Sequence, residues 1–295
     1  MTNEDPSTVI EQAIRKGVLK LLYNADGQCT KALLEGNDTQ FLAVCTITSL
    51  IELDVDYCSL TDNAFRHIEQ LPRLKRLSFV DTNVTGFAYD VLKTLPYIEE
   101  IRCNPCRETA AAAKALAGCP SLQVLKLSES GFQSADVQKL LDLPVLEELS
   151  LELCENLSDG CFQNIARSQL KRVMFSHGAC GDETCRHLSE STTMDRLSIS
   201  DVPITGCGIG YLGQIPSLKS LLLGGMNVGT SDLRQLGTCP NLRELSLLDM
   251  PLDDGIVEYF LNLPKLEELL ISDTKISELG RKRLMSKPWS YLYCE

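Results

Sequence analysis

Eight prolines stand on a 24-residue grid, at Pro72, Pro96, Pro120, Pro144, Pro216, Pro240, Pro264 and Pro288. The two interior grid points without one are Ser168 and Thr192. A fixed period of this length marks a chain that stacks one small unit on the next, and it constrains the fold more tightly than local propensity does. Two residues after each grid point, from Thr48 onward, stands an apolar side chain: Leu50, Leu74, Ile98, Leu122, Leu146, Leu170, Met194, Leu218, Leu242 and Leu266. Ten units result, and each continues as L-x-x-L-x-L, for example Leu74, Leu77 and Phe79, or Leu242, Leu245 and Leu247. Apolar alternation at this spacing predicts a short strand with one buried face.

After the strand comes a small or polar residue, such as Cys58, Thr82, Cys106, Ser130, Cys154 or Thr274, and then an apolar one. Thr, Ser or Asp follows, as in Leu60-Thr61-Asp62 and Ile276-Ser277-Glu278, and reads as a helix N-cap. Apolar residues at helical spacing come next, Phe65, Ile68 and Leu71 among them, until the next grid proline ends the helix. A strand-turn-helix unit of this size cannot bury its own apolar face. The ten must therefore stack, strands parallel on one side and helices on the other.

The pattern resembles the leucine-rich-repeat family, in a 24-residue form L-P-x-L-x-x-L-x-L-x-x-T-x-[IV]-T-D-x-x-[LF]-x-x-L, with some strand-end cysteines; similar repeats occur in cytoplasmic bacterial and protist proteins. The resemblance implies an α/β fold: a curved solenoid with a parallel sheet on its concave face and helices on its convex face, binding protein partners on the concave side.

The organisation expected is an N-terminal helical cap over 1–47, ten repeats over 48–286 and a C-terminal edge strand over 287–295. In the first segment Pro6-Ser7 opens a helix with Ile10, Ala13, Ile14 and Leu21 turned inward. At the other end Trp289, Tyr291 and Tyr293 occupy the place of an eleventh strand and are expected to seal the edge. Some repeats depart from the pattern, the sixth and seventh by lacking the proline. The third replaces its turn with Asn104-Pro105-Cys106-Arg107-Glu108-Thr109, and the fifth carries an extra residue in Cys154-Glu155-Asn156-Leu157.

The net charge of −12 and the lack of a basic stripe exclude nucleic-acid binding driven by bulk charge. No apolar run approaches the roughly 20 residues of a membrane span, and the acidic N-terminus is unlike a signal peptide, so a cytoplasmic or nuclear location is expected. The cysteines number thirteen, an odd count, and free thiols are expected. Cys103-Asn104-Pro105-Cys106 is a lone C-x-x-C whose two cysteines hold apolar repeat positions. The segment from His177 through Cys180, Asp182 and Cys185 to His187 is rich in metal-ligand types, but strand, turn and helix aim side chains in different directions. No metal, cofactor or catalytic residue is assigned, and enzymatic activity is disfavoured.

The residues between the strand leucines face away from the core. Thirteen of these are acids, against five bases, Arg76, Arg102, Lys126, Arg172 and Arg196. Beside them Leu222, Leu248 and Leu270 occupy outward positions on three neighbouring strands. Contiguous apolar residues with an acidic rim have the composition of an interface. The expected partner surface is Leu222, Leu248 and Leu270 with Glu52, Asp54, Asp56, Tyr57, Glu148, Glu152, Glu244, Asp249, Glu268 and Asp273, and His177 is a secondary contact. The expected function is a non-catalytic scaffold binding another protein through a basic and apolar segment. A substrate-recognition or regulatory subunit of a ubiquitin ligase or a phosphatase is the alternative.

Overall fold

A computed structural model describes residues 4–295. It shows the leucine-rich-repeat solenoid expected from the period: an α/β structure whose sheet holds thirteen strands in chain order. The ten repeats supply β3 (Glu52–Asp54), β4 (Arg76–Ser78), β5 (Glu100–Cys103), β6 (Val124–Leu127), β7 (Glu148–Leu151), β8 (Arg172–Ser176), β9 (Arg196–Ser200), β10 (Ser220–Gly224), β11 (Glu244–Leu248) and β12 (Glu268–Ser272). β1 (Leu19–Tyr23) and β2 (Cys29–Leu34) precede them and β13 (Tyr291–Cys294) follows. The chain packs as two compact units, Met1–Phe132 with Asp142–Leu149, and Gln133–Leu141 with Ser150–Glu295.

In the first unit the repeat period becomes the sheet register. Leu53 pairs with Leu77, Leu77 with Ile101 and Ile101 with Leu125, all parallel and each 24 residues on. These side chains are buried, as are Phe41, Phe65, Phe79 and Tyr89, whose rings stack behind the strands at centroid distances of 5.0 to 6.3 Å. The N-terminal segment, expected as a helical cap, holds two helices with a pair of strands between them. Its first helix ends at Arg15, burying Val9 and Ala13 and leaving Ile14 exposed, and a second runs from Asp38 to Val44. Gly17, at φ 75°, takes the left-handed conformation that ends a helix. Leu21 therefore lies in β1, which pairs antiparallel with β2 around a turn where Asn24 Oδ1 accepts from the Asp26 and Gln28 amides. β2 then pairs parallel with β3, so the segment supplies strands as well as helix.

In the second unit Leu197, Leu221, Leu245 and Leu269 form the equivalent buried row on β9 to β12. Residues 152–164 of the irregular fifth repeat form turns followed only by a 3-10 turn, Ile165–Arg167. Several other segments read as helix are also 3-10, including Gly86–Thr94 in the first unit and Arg234–Thr238 in the second.

Two devices recur with the period in both units. The first is a left-handed corner after the strand, at Tyr57, Asp81 and Glu129, then Leu153, His177, Asp201, Gly225, Asp249 and Asp273. The corner amide donates to the carbonyl 23 residues on, as from Asp201 to Gly224 and from Gly225 to Leu248, both at 3.0 Å. Asp tolerates positive φ better than most residues. At Gly225 a side chain would be strained and its Cβ would meet the Asp201 carboxylate. The third repeat has Pro105 at this position, whose ring forbids positive φ, and the left-handed residue moves to Glu108.

The second device is the Asp at the start of the helix, preceded by Thr in the first repeat. Thr61 does cap its helix, accepting from the Ala64 amide, but the Asp reaches into the next repeat. Asp62 accepts from both the amide and the hydroxyl of Thr85 at 2.7 Å. In the second unit Asp182 does the same for Thr205 (2.8 and 2.6 Å) and Asp254 for Ser277 (2.7 and 2.5 Å). Each carboxylate thus bridges successive repeats, and the hydrogen bonds from Ser277 hold the Asp254 carboxyl below its usual range.

Candidate functional site

The sheet face turned away from the helices is the candidate site, because the pleat sends alternate side chains to it in rows that cross the strands. Its character differs between the two units.

In the first unit one row reads Lys31, Glu52, Arg76, Glu100, alternating in sign. Lys31 is a base that sequence reading missed, since β2 lies outside the ten-fold repeat. Glu52 sits between Lys31, at 3.0 Å, and Arg76, which donates a hydrogen bond to it. The Arg76 guanidinium first, and then the Lys31 ammonium, hold its carboxyl below the usual range against the opposing effect of burial. In the next row Asp54 lies with Ser78 and Arg102, its pKa raised mainly by burial, and its Oδ1 accepts from the Asp56 amide at 3.1 Å. Asp56 is itself a brace, accepting from Ser78 Oγ at 2.6 Å and the Val80 amide at 2.7 Å. Tyr57, on a left-handed corner, is exposed. Glu148, expected to face solvent, is only 7% exposed and pairs with Lys126 at 3.1 Å. These acids are largely committed to partners within the protein.

The second unit presents a different surface. Its first row is Arg172, Arg196, Ser220, Glu244, Glu268 and Tyr291. The second is Met174, Ser198, Leu222, Ser246, Leu270 and Tyr293, and the third includes Ser200, Gly224, Leu248 and Ser272. Leu222, Leu248 and Leu270 all lie half-exposed on this face. They are arranged less simply than their numbering suggests: Leu222 and Leu270 share a row with Ser246 between them, whereas Leu248 stands in the next row opposite Gly224. Met174 continues the row at one end and Tyr293 at the other.

β13 pairs parallel with β12 and extends the sheet, so Tyr291 and Tyr293, 50% and 40% exposed, join the outward face instead of folding over it. Trp289 packs apart from them: its Nε1 donates to the Leu284 carbonyl at 2.7 Å, and the Lys287 ammonium lies 4.4 Å from the ring centre.

Half of the acids named on this face stand at the corners. Asp201, Asp249 and Asp273 are exposed, as are Glu152 and Glu268. Asp273 accepts from Ser272 Oγ at 2.8 Å and Glu244 pairs with Arg196 at 3.4 Å. Among the described residues, Asp249 and Glu268 form no ion pair. His177 holds a corner position, its amide donating to the Ser200 carbonyl at 3.1 Å and its Nδ1 buried without a hydrogen-bond partner.

The ligand-type residues singled out in the sequence do not converge. Cys180 lies against Cys161, with sulfurs 3.6 Å apart; Cys185 is buried in its helix; and His187 flanks Glu183 and Glu190 at 3.6 and 3.9 Å. Cys103 is buried with its Sγ 2.7 Å from the Tyr89 hydroxyl, and burial pushes its thiol well up. Among the described residues, no group of three His, Cys, Asp or Glu side chains is placed to hold a metal ion, and no helix is long and apolar enough to cross a membrane.

No family model matches the chain, and no curated protein matches it. Among solved structures, an internalin from Listeria monocytogenes is similar, with a TM-score of 0.59 and 15% sequence identity over 89% of this chain and 86% of the other. The likeness concerns the fold: this chain folds as an internalin-like leucine-rich-repeat solenoid.

Proposed function

We propose that the protein is a non-catalytic interaction module that binds another protein on the outward sheet face of its second unit. The observation that carries this reading is the half-exposed apolar set Met174, Leu222, Leu248 and Leu270, continued by Tyr291 and Tyr293 and rimmed by Glu244, Glu268, Asp249 and Asp273. Apolar side chains at solvent-facing positions gain free energy by burial against a partner, roughly 25 cal/mol for each Å² removed from water. An acidic rim speeds encounter with a basic partner.

The terminal segments act as caps on the first and last repeats. The thiols support an intracellular setting: all thirteen are free, eleven of them buried, as in a reducing compartment.

The test is affinity capture from native lysate with the wild-type chain and a Leu222→Arg, Leu248→Arg, Leu270→Arg variant whose fold is checked by circular dichroism and thermal melting. A protein captured by the wild type and lost from the folded variant supports the reading. Identical captures move the interface elsewhere.

A further inference from the structure

The spacing of the apolar row carries more than its composition. Met174, Leu222 and Leu270 stand on alternate strands, β8, β10 and β12, with Ser198 and Ser246 on the strands between. At about 4.8 Å per strand, the large side chains from β8 to β12 repeat every ~10 Å with a gap between each pair, and Tyr293 of β13 closes the row directly beside Leu270. An α-helix laid across the strands advances about 10.5 Å in seven residues, nearly the same step. An extended segment repeats its same-face side chains every ~6.6 Å and falls out of phase with the row at once. The row therefore has the period of a helix heptad, with serine gaps where the partner's side chains would seat.

Charge fixes the other half of the description. The corner line beside this face holds His177, Asp201, Gly225, Asp249 and Asp273, three exposed acids with a single histidine at its β8 end. On the opposite flank Arg196 is already paired with Glu244.

We infer that the occupant of this face is an amphipathic α-helix of a partner protein, lying across the strands, with aliphatic side chains at seven-residue intervals and Lys or Arg on the flank that meets Asp201, Asp249 and Asp273. The inference rests on the second unit's outward face being the binding surface.

The test uses two displayed peptide libraries of equal length, one on a helix-favouring scaffold and one held extended by fixed prolines, each selected against the full chain. The helical library is expected to yield binders with leucine-type residues seven apart and a basic flank. Their affinity should fall at least tenfold on Leu222→Arg or Leu270→Arg and several-fold on Asp249→Lys with Asp273→Lys. Ser246→Phe discriminates further: it fills the gap between the two leucines and should weaken these binders at least fivefold despite adding apolar surface. Binding strengthened by Ser246→Phe would show an unspecific apolar patch and overturn the inference. Binders drawn only from the extended library would overturn it too, as would a helical library that yields none sensitive to the leucines. Because the lysate capture uses no helical probe, its leucine-dependent partner survives any of these failures, and the two claims fall separately.

Discussion

The outward faces of the two units are built on the same repeat and reach opposite solutions. In the first, charges of both signs alternate along the row Lys31, Glu52, Arg76 and Glu100, with Glu52 paired to both Lys31 and Arg76, while Asp56 is spent on Ser78 and Val80. In the second, Leu222 and Leu270 hold the positions equivalent to Asp54 and Leu248 the one equivalent to Asp56, and acids such as Asp249 and Glu268 stand exposed. A self-paired surface has little left to offer a partner. An apolar row beside unpaired acids has both burial and charge to contribute. The total acidity of the chain is thus a poor guide to where it binds; the pairing of those acids is a better one.

The largest effects should come from the cores, which the two units share. Leu77→Ala in the first and Leu247→Ala in the second each remove a fully buried side chain and should destabilise by about 2–5 kcal/mol. Leu248→Ala, one residue on but on the outward face, should cost less than about 1 kcal/mol by denaturant unfolding. A cost for Leu248 matching that of Leu247 would make it a core residue and erase the contrast.

Next in size are the carboxylates that bridge successive repeats. Asp62→Ala and Asp182→Ala strand the amide and hydroxyl of Thr85 and Thr205, and each should cost about 1–3 kcal/mol. Equal losses would confirm that the units share this device, and a null result for either would remove it from the account.

Smaller effects separate the faces. Association with a captured partner should slow several-fold between low and high salt, since exposed charges are screened. Asp249→Lys with Asp273→Lys should abolish most of that dependence, whereas Glu52→Lys should leave it; stopped-flow rates across a salt series would decide. The smallest effect is a pH dependence in the first unit. Because Glu52 has a folded pKa below its ordinary 4.5, its ionised form adds stability above that value, lost as pH falls through the folded pKa. Glu52→Gln should therefore be less stable than wild type near neutrality, by under about 1 kcal/mol for so exposed a pair, and the difference should vanish in acid.

Much of this was written in the period. Eight prolines and ten leucine triplets placed β3 to β12 and their register, because a 24-residue repeat must pair each residue with its equivalent one repeat on. The N-terminal hairpin escaped because it lies outside the repeat, although Asp26-Gly27 between two apolar runs was a turn signal. The Thr61-Asp62 pair was legible as a cap and no further, since the Asp acts on a hydroxyl 23 residues away that only stacking brings near. Glu148 was misjudged for a similar reason: alternation gives a side chain's direction, while its burial depends on Lys126 of the neighbouring repeat. The arrangement of Leu222, Ser246 and Leu270 followed from the register, but Tyr291 and Tyr293 joined that face only once β13 was seen to extend the sheet.

The central claim, that the second unit's outward face is the binding surface, is tested most directly by setting the two faces against each other in one capture experiment. Leu222→Arg with Leu270→Arg disrupts the second unit's face, and Arg76→Glu with Arg102→Glu disrupts the first. The account predicts that a partner held by the wild type is lost from the former variant and retained by the latter. Loss from the charge variant alone would contradict it and move the site to the first unit.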